Sequence, residues 1–149
     1  MEIKQTTELQ TKIYQDALNL RKEVFIREQN VPEELEIDEL ENECLHFVLY
    51  ADDGTPIATS RVYPLADQQW KLQRVAVKKN KRKQHLGQLL LKHIEAIAKE
   101  NHIASITLGA QVSSIGFYES LGYHVSSEEF DDAGIPHRQM EKNLETSAS

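Results

Sequence analysis

At 149 residues and a formal net charge of −7, the chain is long enough to bury one core and has the wrong sign for general attraction to nucleic acid or anionic membranes. Its one cysteine, Cys44, excludes an internal disulfide and fits a reducing setting. No apolar run reaches membrane-span length and the opening MEIKQTTELQ lacks a signal-peptide core, so the expectation is a cytoplasmic protein with one domain over residues 1–144 and a frayed tail at 145–149.

Charge is unevenly placed along the chain. Lys78, Lys79, Lys81, Arg82 and Lys83 crowd one short segment, whereas seven acids lie between Glu33 and Glu43. A local basic site on an acidic protein points to a small anionic ligand rather than a polymer.

In chain order, EIKQT predicts a short strand. Leu9, Ile13, Ala17, Leu20 and Val24 then recur at the spacing of an amphipathic helix, with Thr6 or Thr7 as its cap. The helix is expected to fade near Asn30, because Pro32 disfavours helical geometry at Val31. The acidic PEELEIDELENE that follows has little apolar periodicity and reads as a loop or short exposed helix, a solvated face. Leu45 to Ala51 is β-prone, and Asp53-Gly54 marks a hairpin turn into PIATSRVY.

The next strand carries an irregularity. Trp70 and Leu72 share one parity and Val75 and Val77 the other, so either both faces are buried or a residue is bulged out near Gln73 or Arg74. A bulge would splay this strand from its neighbour. The strand hands over through the basic segment to a helix whose apolar stripe reads Leu86, Leu89, Leu90, Ile94, Ile97 and Ala98. A strand stopping at a helix N-terminus leaves unpaired N–H groups and a positive dipole end, the makings of an anion cradle, with Gly87 allowing close backbone approach.

Residues 103–110 alternate as a strand, and strand, helix, strand implies a crossover between roughly parallel strands. Ser113 or Ser114 is expected to open a short helix ended by Gly122. YHVSSEEF, the turn DDAG and IPHRQMEK read as a closing hairpin. The six histidines include no HExxH spacing, so no metal is expected. The patterns of a P-loop and of a GxGxxG dinucleotide turn are also absent.

What remains is QHLGQL, Gln84 to Leu89, between an apolar strand and a helix. It resembles the acetyl-CoA motif of the GNAT superfamily of N-acetyltransferases: Arg or Gln, two free positions, Gly, one free position, then Gly or Ala. Gln84 and Gly87 match; Leu89 departs from it. RVAV before the motif and AQVSSIGFYESLGY at Ala110 to Tyr123 stand in the superfamily's order, and VFIREQNVPEELEID and AGIPHRQM look like its small bacterial YjcF-like branch. The resemblance spans nearly the whole chain.

That resemblance implies an α/β (α+β) fold, a mixed and mostly antiparallel sheet of six or seven strands, splayed at its centre and flanked by helices. It implies acetyl transfer from acetyl-CoA to a primary amine by direct attack in a ternary complex. The cofactor side falls to Val75, Ala76 and Val77 for the pantetheine arm and to Arg82, Lys83, Gln84, His85, Leu86, Gly87 and Gln88 for the pyrophosphate. Lys79 and Lys81 are available to an exposed phosphate, and Gln111 stands where the family often has a cofactor-contacting Asn. Tyr118 takes the place of the tyrosine that protonates the leaving thiolate. Candidate bases are Glu28, Asp38 and His46, with a water-mediated base as the alternative.

The acceptor is expected to be a small amine or peptide, and a homodimer is unsurprising for the superfamily. The acid run makes a cationic amine attractive. Each residue also has an ordinary reading: Tyr118 as core packing, Cys44 as a small buried residue rather than an acetyl carrier, and His137 as either a substrate contact or a partner within the last hairpin. The alternative function from another class is a non-catalytic acyl-CoA sensor.

Overall fold

The computed structural model describes residues 1–31, 38–82, 84–132 and 134–144. Glu34 and Glu36 of the acid run, Lys83 and the 145–149 tail therefore lie outside the described residues.

Among the described residues eight strands form one sheet. They are β1 (Glu2–Thr6), β2 (Leu45–Tyr50), β3 (Pro56–Leu65), β4 (Gln69–Val77), β5 (Ser105–Gln111), β6 (His124–Val125), β7 (Phe130–Asp132) and β8 (Ile135–Asn143). The order is β1-β2-β3-β4-β5-β8-β6, with β7 also on β8. Only β4 and β5 pair in parallel; the other neighbours are antiparallel. The expected closing hairpin is interrupted, because YHVSSEEF divides into β6 against Met140–Glu141 and β7 against Ile135–His137, which raises the count above the six or seven expected.

The first helix, α1 (Lys12–Arg21), starts later than the apolar repeat suggests. Thr6 spends its hydroxyl on the Glu8 N–H at 3.0 Å, and Thr11 caps the helix by accepting from Tyr14 N–H at 3.3 Å. The helix then widens into a π-helical stretch, Lys22–Glu28, with Gln29 N–H bonding Val24 O, and ends at Asn30 in the left-handed region (φ 60°). Its Ala17 and Leu20 pack on Val48 and Tyr50 of β2, while Phe47 and Leu49 of the same strand join the main core on the opposite face. β2 is thus buried on both sides.

The second helix, α2 (Leu86–Glu100), covers that main core through Leu86, Leu90, Leu91, Ile94 and Ala98. Leu91 replaces Leu89 in the stripe, and Leu89 is 44% exposed. Glu95 is turned inward with it, accepting from Tyr123 Oη at 3.0 Å and Lys142 Nζ at 2.9 Å. A short helix, α3 (Ile115–Ser120), carries Tyr118 into the same core and stops before Gly122, whose φ of 96° suits glycine.

The parity break in β4 is a bulge. Thr59 pairs with Ala76 and Arg61 with Gln73, so Ser60 alone faces both Arg74 and Val75. Arg74 takes up the extra residue at φ 57°. The insertion brings Val77 (opposite Ala58) back to the face of Leu72 (opposite Val62), so both apolar pairs reach one core. Beyond Leu72, β4 no longer pairs with β5, whose partner there ends at Leu108. β5 continues along β8 to Gln111, and the two central strands diverge.

Buried charge braces this bulge. Arg61 is 1% exposed; its Nε donates to Gln73 Oε1 at 2.9 Å, and its guanidinium reaches Asp38 and Glu41. Glu41 also accepts a fork from Arg21 at 2.8 Å and the Tyr14 hydroxyl at 2.9 Å. Burial alone would raise the Glu41 and Asp38 carboxyls, but bonding and charge from these arginines hold both below the ordinary carboxylate range. The acid run therefore turns part of its charge inward, where a solvated face was expected. Replacing Arg61 by Met leaves two acids short of a counter-charge and is expected to cost about 3–5 kcal/mol, read from the urea midpoint. In the unaltered protein the lowered carboxylates contribute fully above the ordinary range near pH 4 and lose that contribution as pH falls through their folded values, whereas buried His46, its pKa lowered, costs stability once pH falls below the ordinary value of 6.5. The urea midpoint should therefore decline gently below about pH 6.5 and drop further below about pH 4.

Candidate active site

Where β4 leaves β5, two cavities open and meet. The first, about 390 Å³, is lined by Val75, Ala76 and Val77 of β4, by Lys81 and Arg82, by His85 to Gln88 at the start of α2, and by Phe117 and Tyr118. The second, about 440 Å³, lies between β4 from Lys71 to Val75 and β5 from Leu108 to Gln111, and is closed by Phe25, Val31, Phe130, Ile135 and His137. Gln29, Val75, Ser114 and Tyr118 line both.

The first cavity is edged by backbone that β5 does not pair. Lys78 N–H bonds Ile57 O at 2.8 Å toward β3, so by alternation the backbone groups of Val75 and Val77 face the edge that β5 has vacated. Arg82 Nε reaches that edge and donates to Val77 O at 3.0 Å. At the helix start, the first intrahelical bond runs from Leu89 N–H to His85 O, which leaves the N–H groups of Leu86, Gly87 and Gln88 without helical partners. His85 makes this abrupt entry in the left-handed region at φ 60°.

Gly87 has a second reason to be glycine. A Cβ there would stand 3.2 Å from Phe117 Cζ and 3.7 Å from Val77 Cγ2, so its lack of a side chain lets α2 pack against α3 as well as leaving the cradle open. Gln84 is exposed and does not line the cavity, and Lys83 lies outside the described residues. Gln111 lines the second cavity and donates from Nε2 to Gln29 Oε1 at 3.0 Å, spanning the mouth between β5 and the π-helical segment.

Tyr118 sits at the junction. Its ring is held edge-on by Phe117 and Tyr123, at 5.0 and 6.0 Å between centroids, and burial pushes its phenol well above the ordinary tyrosine range. Among the described residues its hydroxyl has no hydrogen-bond partner.

The three base candidates read from the sequence do not line either cavity. Glu28 makes a bidentate pair with Arg82 at 2.7 and 2.8 Å, and that bonding holds its carboxyl low. Asp38 belongs to the Arg61 cluster and also meets Arg74 at 3.3 Å. His46 is 1% exposed, donates Nε2–H to Glu41 O at 2.8 Å, and lies edge-on to Tyr14; burial lowers its pKa and leaves Nδ1 orphaned. The fold has placed Glu28 and Asp38 against arginines and His46 in the core, away from both cavities. Cys44 is buried, lines neither cavity, and has its thiol pushed up by burial.

Sequence reasoning passed over Phe25, Gln29, Val31 and Ser114. The first three follow from the π-helical widening and the turn at Asn30, which apolar periodicity does not encode.

The family model described as an acetyltransferase (GNAT) domain matches residues 7–144. The chain is 45% identical to the uncharacterized N-acetyltransferase YjcF of Bacillus subtilis, over 86% of this chain and 91% of that one. Its fold overlays an acyl-CoA N-acyltransferase from Pseudomonas aeruginosa with a TM-score of 0.83 at 25% identity, covering 95% and 99% of the two chains. It also overlays an aminoglycoside 6'-N-acetyltransferase complexed with coenzyme A, with a TM-score of 0.74 at 16% identity over the whole of both chains, a likeness of fold alone. No helix among the described residues is long and apolar enough to cross a membrane. With its splayed sheet and QHLG helix entry, this chain belongs to the GNAT acetyltransferase family.

Proposed function

We propose that the chain moves an acetyl group from acetyl-CoA to a primary amine by direct attack, with both substrates bound together. Membership of the GNAT family carries acyl transfer from acyl-CoA to amine acceptors. The observation that carries the finer reading is the meeting of two cavities at Tyr118: one edged by free strand backbone and helix N–H groups, the other open to a second reactant.

In this reading the pantetheine arm lies along Val75–Val77 as an added strand, and the pyrophosphate rests on the N–H groups of Leu86 to Gln88 at the positive end of α2. Arg82 and Lys81 supply charge at the rim. Glu28 then acts as a positioning residue, holding Arg82 against Val77 O. The thioester reaches the junction, where the Val77 or neighbouring N–H groups polarise its carbonyl. The amine enters through the second cavity, and its nitrogen forms the new bond to the acyl carbon as the C–S bond breaks.

Tyr118 serves the departing sulfur. Its phenol stays protonated throughout the neutral range, so it enters the reaction as a hydrogen-bond donor. Transfer to a thiolate is uphill from the resting phenol, and the proton therefore moves as charge accumulates on sulfur rather than before. Positioning of the two reactants supplies much of the remaining rate.

Release of CoA thiol in the presence of a panel of primary amines tests the reading. Tyr118→Phe is expected to lower kcat by about 100-fold, within the usual range for one acid–base group, with acetyl-CoA affinity by calorimetry changed less than about twofold. A protein that binds acetyl-CoA and turns over no amine is a sensor instead. Gly87→Val drives a side chain into Phe117, so stability should fall by about 1–3 kcal/mol and acetyl-CoA affinity with it; unchanged affinity places the phosphate elsewhere.

A further inference from the structure

We propose that His137 is the general base of this reaction, taking a proton from the acceptor amine on Nε2. The proposal rests on the acetyltransferase reading above. It answers a vacancy in it, since Glu28, Asp38 and His46 lie away from both cavities.

The tautomer follows from one contact. His137 Nδ1 stands 2.8 Å from Ile135 O, and a carbonyl only accepts, so Nδ1 carries the hydrogen in the neutral ring and Nε2 holds the basic lone pair. Once Nε2 is protonated, the Ile135 bond remains in place and gains charge assistance. His46 has the opposite arrangement: its Nε2–H is spent on Glu41 O, and its lone pair is sealed in the core.

Position supports the same role. His137 lies opposite Gln111 in the β5–β8 ladder, at the end of β5 where the splay is widest. Its ring is 8% exposed and stacks on Phe130 at 5.9 Å and 26°, which fixes its plane in the wall of the second cavity. Tyr118 lines that cavity too, so base and acid flank one space. The other ionisable groups lining it among the described residues are Lys71 and Arg74 from β4 and Asp132 from β7. Arg74 is held by Asp38, and the adjacent Asp131 accepts from Gly134 N–H at 3.3 Å. Asp132 is solvent-exposed and is the rival base.

The proton count closes. An alkylammonium acceptor gives one proton to His137 Nε2, and the freed amine attacks the thioester carbon. As the C–S bond breaks, the thiolate takes the Tyr118 proton, and the phenolate recovers one from the new amide nitrogen. His137 returns its proton to solvent, leaving amide, CoA thiol and one released proton.

The test measures kcat/KM against pH by CoA-thiol release from acetyl-CoA, using benzylamine, ethanolamine, glucosamine, putrescine and an unblocked tripeptide, for the natural protein, His137→Gln and Asp132→Asn. The natural protein should show an acid limb that levels off well below the acceptor amine's own pKa. His137→Gln should lose that plateau and about 100-fold in kcat/KM at pH 7, its rate rising with pH up to the amine's own pKa. Its deficit should narrow as pH approaches the amine's own pKa, with acetyl-CoA affinity and melting temperature retained. A His137→Gln protein within threefold of natural activity, or a plateau lost in Asp132→Asn and kept in His137→Gln, overturns the assignment and leaves the acetyltransferase reading standing. Absence of turnover with every amine, despite bound acetyl-CoA, overturns both. If His137→Gln does not fold, His137→Asn takes its place, and a natural profile that rises without a break up to the amine's own pKa overturns the assignment by itself.

Discussion

One extra residue in β4 makes the rest possible. Ser60 opposite Arg74 and Val75 lets a single strand keep its apolar side chains on one face and still turn away from β5. Such a bulge costs ladder bonds and places Arg74 in the left-handed region, so it persists only where surrounding contacts hold it. Those contacts are polar and buried: Ser60 Oγ donates to Gln73 O at 2.9 Å, and Arg61 pins the Gln73 side chain. Arg61 in turn is held by Asp38 and Glu41. A charge cluster in the sheet thus sets the width of the ligand space without entering it.

The same cluster ties the first helix to the sheet. Arg21 and Tyr14 of α1 both bond Glu41, fixing the helix just before it widens into the π-helical stretch. That stretch delivers Val24 and Gln29 to the first cavity and Phe25 and Gln29 to the second. Glu28, at its end, reaches Arg82 in the cradle. One helix therefore carries part of the wall of both cavities and the carboxylate that holds Arg82.

Tyr118 and His137 show how context places side chains of ordinary type. Tyr118 is packed among aromatics and lines both cavities, and His137 is oriented by a backbone carbonyl and a stacked ring. His46 has similar burial and the same imidazole, yet its contacts leave it no route to a reactant.

The linear sequence by itself determined the elements and the family. The turn at Asp53-Gly54, the parity break around Gln73, the helix entry at QHLG and the order of motifs are local patterns, set by backbone preferences within a few residues. Through the resemblance that they carry, Val75 to Val77, Gly87 and Tyr118 were expected together, and all of them line the first cavity. Tertiary structure alone decided which charges face inward, because Glu41 is buried and Asp38 half-buried against arginines that arrive from α1 and β3. It also decided which residues meet at the second cavity, since His137, Gln29 and Phe25 come from distant segments joined by the splay. Apolar periodicity records that a face is buried; it does not record which partner covers it, which is why Leu91 rather than Leu89 fills the core.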